Sequence, residues 1–261
     1  MFSLGVPLAT GCFLLMSSAL ATLQTNGQTS DDELARALAC IDETDATAVL
    51  CLAMTQLFAG SIALVSSFGT ESAVLLDLAA EIDRATPVVF LDTGKLFPET
   101  LAYRDALIDR LGLTDVRIVT PASLQIATHD ANGALWRQNA DRCCTLRKTL
   151  PLQAVLGGFS AWITGRKRFQ AKGRGALQVF EREPSGRVKV NPLAHWTEQR
   201  IARHFASRDL PRHPLEAYGF ASIGCATCTL PVAPGADRRS GRWPGTAKTE
   251  CGIHQALPAQ G

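Results

Sequence analysis

The first 30 residues contain no Asp, Glu, Lys or Arg, and the first charge is Asp31. A secretory signal opens on a positive segment, so the apolar stretch over 2–23 lacks what export requires. Pro7 and Gly11 interrupt it, and it is short for a membrane-spanning helix. Residues 1–30 are therefore expected to be a flexible or wrongly started N-terminus. Charge is scarce elsewhere too. Charged residues make up 19% of the 261 positions and the net charge is +2, which excludes a global basic field for nucleic acid. A hydrophobic fraction of 46% supplies a full core and excludes a disordered, solvated chain. Eight cysteines in this length are too few for a disulfide-dense secreted scaffold. Neither a Walker phosphate loop nor a G-x-G-x-x-G fingerprint is present.

What is present alternates. The spacing predicts helices over 31–39 and 45–58, then a buried strand over 61–67 and a helix from about 71. VVFLDTG reads as a second strand, 98–111 as a helix opened by Pro98, and 116–119 as a third strand. Residues 145–156 look helical despite Pro151. Short strands are expected over 161–164 and 188–191, and a helix over 197–207 with Thr197 as its cap. Such alternation argues for an α/β fold with a parallel sheet covered on both faces. After about 210 the regular pattern stops. The expected organisation is one α/β domain over 31–230 and a mobile, Gly- and Pro-containing tail over 231–261.

Ligands collect at the carboxyl ends of parallel strands. The first such end carries Ser66, Ser67, Phe68, Gly69, Thr70, Glu71 and Ser72, a turn whose free N–H groups and hydroxyls suit phosphate or sulfate. The same residues also make an ordinary capped turn. The second end carries Leu91, Asp92, Thr93 and Gly94. A third carries the basic run 165–170, with Arg174 soon after, and is a candidate anion site. Many of the remaining basic residues fall between Arg142 and Arg242.

The cysteines divide by context. Cys12, Cys40 and Cys51 lie among apolar residues and read as buried small hydrophobes. Cys143 and Cys144 are adjacent, and Cys225 and Cys228 form a C-x-x-C. Four thiolates suit an iron–sulfur cluster or a structural zinc, and spacing alone leaves both open. Adjacent cysteines on one centre need an irregular backbone. Cys251 stands between Gly245 and Gly252, with Lys248 and His254 to favour a thiolate and Glu250 to oppose it.

Taken in order, SSFGTES, LDTG, CCTLRKTLPL, TGRKRFQ, IGCATCTLPV, GRW and ECGIH resemble the assimilatory sulfonucleotide reductases, iron–sulfur branch, from about Ser61 to His254. The resemblance implies an adenine-nucleotide α-hydrolase-like (Rossmann-like) sandwich. It implies that 66–72 and 91–94 hold the nucleotide. Arg147, Lys148, Arg168, Arg174, Arg239, Arg242 and His254 would surround the phosphosulfate. Cys143, Cys144, Cys225 and Cys228 would hold a [4Fe–4S] cluster, and Cys251 would be the nucleophile. The implied reaction is reduction of adenylyl sulfate to sulfite and AMP, with thioredoxin or a glutaredoxin-like protein as reductant. A cytoplasmic location keeps such thiols reduced. No nucleic-acid or membrane partner is expected, and a homo-oligomer is compatible with the sequence.

Two features depart from the pattern. Lys167 replaces an arginine and lacks its bidentate fork. Pro244 breaks the usual aromatic run after G-R-W, so the path of 241–248 is open. Rival readings are a 3′-phosphorylated substrate, a PP-loop ATP pyrophosphatase, and a non-enzymatic metal-binding regulator. A PP-loop enzyme typically carries S-G-G-x-D-S, and Phe68 stands where its second glycine would be.

Overall fold

Ser30 and Glu33 cap each other. The Ser30 hydroxyl accepts the Glu33 N–H at 3.2 Å and the Glu33 carboxylate accepts the Ser30 N–H at 2.6 Å, opening α1 (Asp31–Leu38). A computed structural model describes residues 29–170 and 172–254. The N-terminal stretch expected over 1–30 therefore lies outside the described residues, apart from Thr29 and Ser30. Asp45 caps α2 (Ala46–Cys51), which widens into a π-helical stretch over Leu52–Leu57.

The next elements are β1 (Ile62–Ser66), α3 (Ser72–Ile82), β2 (Val88–Leu91), α4 (Pro98–Leu111) and β3 (Val116–Val119). Pro98 sits in the first turn of α4, as the sequence leads one to expect, and Gly112 closes the helix at φ 64. Then follow α5 (Ser123–His129), α6 (Leu135–Gln138) and α7 (Ala140–Cys144). A π-helical stretch over Thr145–Thr149 links α7 to α8 (Leu150–Leu156). The chain ends its regular part with β4 (Ala161–Ile163), β5 (Phe180–Arg182), β6 (Val188–Val190) and α9 (Glu198–Ser207). Beyond α9 the described residues form only short 3₁₀ turns.

The sheet order is β3-β2-β1-β4-β6-β5. Residues of β1 point alternately to two cores. Ile62 and Leu64 join the large cluster under α2, α3 and α9, while Ala63 joins Val89, Trp162 and Leu156 on the other face. On the first face, buried Asp77 of α3 accepts from His204 at 2.8 Å and Arg208 at 3.1 Å, fastening α3 to α9. Strand β1 lies between β2 and β4, so the strand order reverses there. A crevice opens at such a switch point, and here it is bounded by the segments that follow β1 and β4.

Three expectations change. The sheet is not wholly parallel: β5 pairs antiparallel with β6. The turn joining them contains Gly186 at φ 84, and so short a hairpin carries almost no periodic signal. Helices α5 to α7 are too short to announce themselves in the sequence. Cys40 is exposed, with its sulfur 3.3 Å from the Arg36 carbonyl oxygen. Cys51 is buried as expected, and Cys12 lies outside the described residues. Among the described residues no helix is long and apolar enough to cross a membrane.

Candidate active site

The turn after β1 is held in an unusual shape. Phe68 takes φ 47, a left-handed conformation that favours glycine. Its ring is fully buried and meets Phe90 edge-on at 5.4 Å, which holds the strained backbone in place. The PP-loop glycine position is thus filled by a bulky residue in a glycine-like conformation. The Gly69 N–H donates to the Ser72 hydroxyl at 2.9 Å. Apart from buried Phe68, the turn lines a cleft of about 500 Å³, a size that suits a small ligand.

The cleft is walled by cations, most of them paired. Lys167 and Arg238 contact Glu71 at 2.8 and 3.2 Å, and Gln170 donates to it at 2.8 Å. Burial alone would raise the Glu71 carboxyl; the two cations and the Gln170 bond hold it below its ordinary value. Arg166 pairs with Glu181. Arg174 and Arg239 share Glu250 at 2.6 and 3.2 Å. Lys148 and Arg242 complete the wall without a carboxylate partner. The Arg242 guanidinium donates to the Ile223 carbonyl at 3.1 Å and fills the space over Gly224.

Cys251 and His254 close the far side of the cleft. The His254 ring stacks on Trp162, 6.0 Å between centroids with planes 2° apart. Burial, then the charges of Arg166, Arg174, Lys189 and Arg239, push His254 well below its ordinary value, so it is neutral.

A second, smaller cavity lies behind this wall. Cys143, Cys144, Cys225 and Cys228 all line it, together with Lys148, Arg242 and Trp243, which also face the cleft. The adjacent cysteines end α7 where the backbone passes into the π-helical stretch, the irregularity that two neighbouring ligands require. Burial, then the neighbouring Cys144 and Cys225 sulfurs, push Cys143 up to about 11. Burial would also raise Cys225, but Lys148, the Thr93 hydroxyl at 3.3 Å and Arg242 outweigh it and lower it. Among the described residues no three His, Cys, Asp or Glu side chains converge as one bound ion requires. All four thiols nevertheless line this one small cavity, and four thiolates are a donor set that an iron–sulfur cluster or a zinc ion takes.

The expected site residues therefore divide. Ser66, Ser67, Gly69, Thr70, Glu71, Ser72 and Leu91 line the cleft, as do Lys148, Arg174, Arg239, Arg242, Cys251 and His254. Asp92, Thr93, Gly94 and Arg147 do not. Arg147 lies behind, donating to buried Asp130 at 2.6 and 3.0 Å and to the Thr93 carbonyl at 2.7 Å. Arg168 serves its own loop, donating to the Leu177 carbonyl at 2.9 Å with Nη1 3.2 Å from His195 Nδ1. Arg238, Trp162 and Asp130 enter only through the structure, and Glu250, read in the sequence only as a charge opposing the thiolate, holds two of the arginines. Arg166 belongs to the basic run, which gave it a signal; Asp130 sits in an aperiodic loop that gave none.

A switch-point cleft walled by cations, with a thiol on one side and four thiols behind, defines a nucleotide-binding thiol protein of the α/β class. The chain belongs to the phosphoadenosine phosphosulfate reductase domain family, whose model matches residues 61–231. Cys251 lies beyond the matched stretch. The chain is 55% identical over 199 residues to an adenosine 5′-phosphosulfate reductase of Mesorhizobium japonicum, covering 76% of this chain and 78% of that one. It is 43% identical to a phosphoadenosine 5′-phosphosulfate reductase of Gloeobacter violaceus, covering 76% and 83%. Among solved structures, phosphoadenylyl-sulfate reductase from Candida auris aligns with a TM-score of 0.62 at 25% identity, over 79% of this chain and 98% of that one. Candida glabrata FMN adenylyltransferase, at 17% identity and a TM-score of 0.53 over 82% and 71%, shares the fold alone.

Proposed function

We propose that this protein reduces adenylyl sulfate to sulfite and AMP in the cytoplasm, through a thiosulfonate on Cys251. One observation carries the reading: Cys251 lines the same cleft as the 66–72 turn and the two cations that lack carboxylate partners, Lys148 and Arg242. The nucleotide lies against the turn, with its phosphosulfate toward those cations. The Cys251 thiolate attacks sulfur, an S–S bond forms, and the S–O bond to phosphate breaks with AMP as leaving group. Both reactants are anionic, and the cations screen their approach. A thiolate of thioredoxin, or of a glutaredoxin-like protein, then attacks the Cys251 sulfur and releases sulfite. The reductant's second thiol resolves the mixed disulfide, so the dithiol supplies both electrons. Movement of the segment that carries Cys251 lets the thiol serve both partners.

Cys143, Cys144, Cys225 and Cys228 would hold the [4Fe–4S] cluster. When bound it would supply a fixed charged group behind Lys148 and Arg242, carrying no electrons for the reaction. The unphosphorylated nucleotide is favoured because the relatives at 55% and 50% identity bear that substrate's name. Comparing kcat/KM for the two nucleotides decides this point, and a preference for the 3′-phosphorylated one refutes it.

Without reductant, adenylyl sulfate is expected to yield one AMP per active site and a sulfonate on Cys251. Cys251→Ser is expected to bind nucleotide and release no AMP, since a hydroxyl is a far weaker nucleophile. Peptide mass spectrometry locates the adduct. An adduct on another cysteine, or multiple turnovers by the serine variant, overturns the mechanism.

A further inference from the structure

Arg174 and Arg239 face the cleft, yet their guanidinium groups already hold an anion. Glu250 Oε2 accepts from Nε and Nη2 of Arg174 at 2.7 and 2.6 Å, and Oε1 accepts from Nη2 of Arg239 at 3.2 Å. The same Oε1 accepts the backbone N–H of Cys251 at 2.9 Å. An arginine offers a carboxylate or phosphate its two-pronged edge. On Arg174 the Nε/Nη2 edge is filled by Glu250, and Nη1 donates to Gln170 at 2.6 Å. A substrate anion cannot take that edge while Glu250 stays. Glu250 cannot leave alone either, because it is bonded through the chain and through Oε1 to Cys251.

The geometry points to Glu250 as a positioning residue that acts as a built-in stand-in for the substrate anion: it latches the Cys251 segment onto Arg174 and Arg239 while the cleft is empty, and gives up both arginines when a nucleotide anion arrives. This rests on the nucleotide reading of the cleft. With Glu250 on both arginines, Cys251 sits half-buried at the cleft wall. In the loaded protein the exchange frees the segment at the moment when Cys251 must reach the sulfo group, and later the reductant. Binding and release of the nucleophile become one exchange of anions, with no separate lid. A fixed support that merely shapes the two arginines would act in the opposite direction, since its removal would disorder them and weaken nucleotide binding.

The test is AMP binding to the full chain, measured by calorimetry, for the wild type, Glu250→Gln and Glu250→Asp. Loss of the competing charge is expected to tighten AMP about tenfold, while Glu250→Asp stays near the wild type. In nucleotide-free protein, iodoacetamide is expected to alkylate Cys251 several-fold faster in Glu250→Gln, read by peptide mass spectrometry. Glu250→Ala, which also removes the bond to the Cys251 N–H, serves as a second variant with the same expected direction. If the wild type binds AMP and the uncharged variants bind it equally or more weakly, the latch is overturned and the nucleotide reading stands. A wild type that does not bind AMP overturns both.

Discussion

Gly224 lacks a side chain where Arg242 needs the room: a Cβ there would stand 2.1 Å from the Arg242 Nη2. The neighbour is the far end of a flexible side chain, so the fold can absorb the change by moving the guanidinium. That guanidinium is one of the two cations left for the phosphosulfate. Gly224→Ala is therefore expected to keep its stability and lose about a hundredfold in the rate of AMP release, as small misplacements in an active site do. Gly241 is the contrasting case. A Cβ there would meet the Leu230 carbonyl oxygen at 2.1 Å, and backbone cannot step aside. Gly241→Ala is expected to lower stability by at least about 1–3 kcal/mol, the ordinary range for overpacking. Denaturant unfolding and single-turnover kinetics on both variants separate the two roles. The reverse pattern would show that Arg242 is not needed where it stands.

At the scale of elements, the parts that the sequence made legible are those with a local physical cause. Continuous apolar runs marked β1, β2 and β4, with Pro87 and Gly94 bounding β2 and Gly165 closing β4, and Thr197 and Pro98 marked the starts of α9 and α4. Pro151 did not break the helical run because it follows closely on the π-helical stretch Thr145–Thr149, where the hydrogen bonds already run in a wider register, with the Leu150 N–H on the Thr145 carbonyl. The connection of α4 to the irregular region was not legible, because it is made by residues more than a hundred positions apart. His213 carries it. Its Nδ1 accepts the Leu215 N–H at 3.2 Å, capping the turn Pro214–Tyr218, so Nε2 carries the proton and donates to the Thr100 hydroxyl of α4 at 3.0 Å. Burial pushes His213 down to about 4 from its ordinary 6.5. The sign follows directly. Between those values the unfolded chain binds a proton that the folded chain does not, so stability is full above 6.5, falls as pH drops through the window, and levels off below about 4. The loss from this group is on the order of 3 kcal/mol. His213→Asn, which retains a cap acceptor, is expected to be less stable at pH 7 and to show a shallower fall toward pH 4 in denaturant titrations. An equally steep fall in the variant would assign the acid sensitivity to other groups.

At the scale of the molecule, the sequence named most of the cleft's ingredients but not how they combine. A basic residue looks the same whether it faces substrate or a carboxylate. Arg174 is paired with Glu250, Arg168 with its own loop, and Arg147 with Asp130, and only the meeting of distant segments decides which. That meeting is uneven in strength. Most of the described chain, up to the end of α9, is the sheet with its helices and connecting loops, while the part beyond α9 has only short turns. Its ties to the sheet include the isolated bridge Leu96↔Cys225 and the Ala226 N–H donating to the Lys95 carbonyl at 2.8 Å. A metal cluster on Cys143, Cys144, Cys225 and Cys228 would cross-link α7 to this region and close a long loop, stabilising the region much as a disulfide does. Anaerobically purified protein is expected to carry about four irons. Chelation is then expected to raise amide hydrogen exchange over 219–254 while β1, β2 and β4, buried between two cores, keep their protection. Cys225→Ser is expected to reproduce the same pattern without chelator. Stoichiometric zinc in protein made with ample iron would overturn the cluster, and an equal loss of protection in β1 and β2 would mean that the metal holds the whole fold rather than its irregular part.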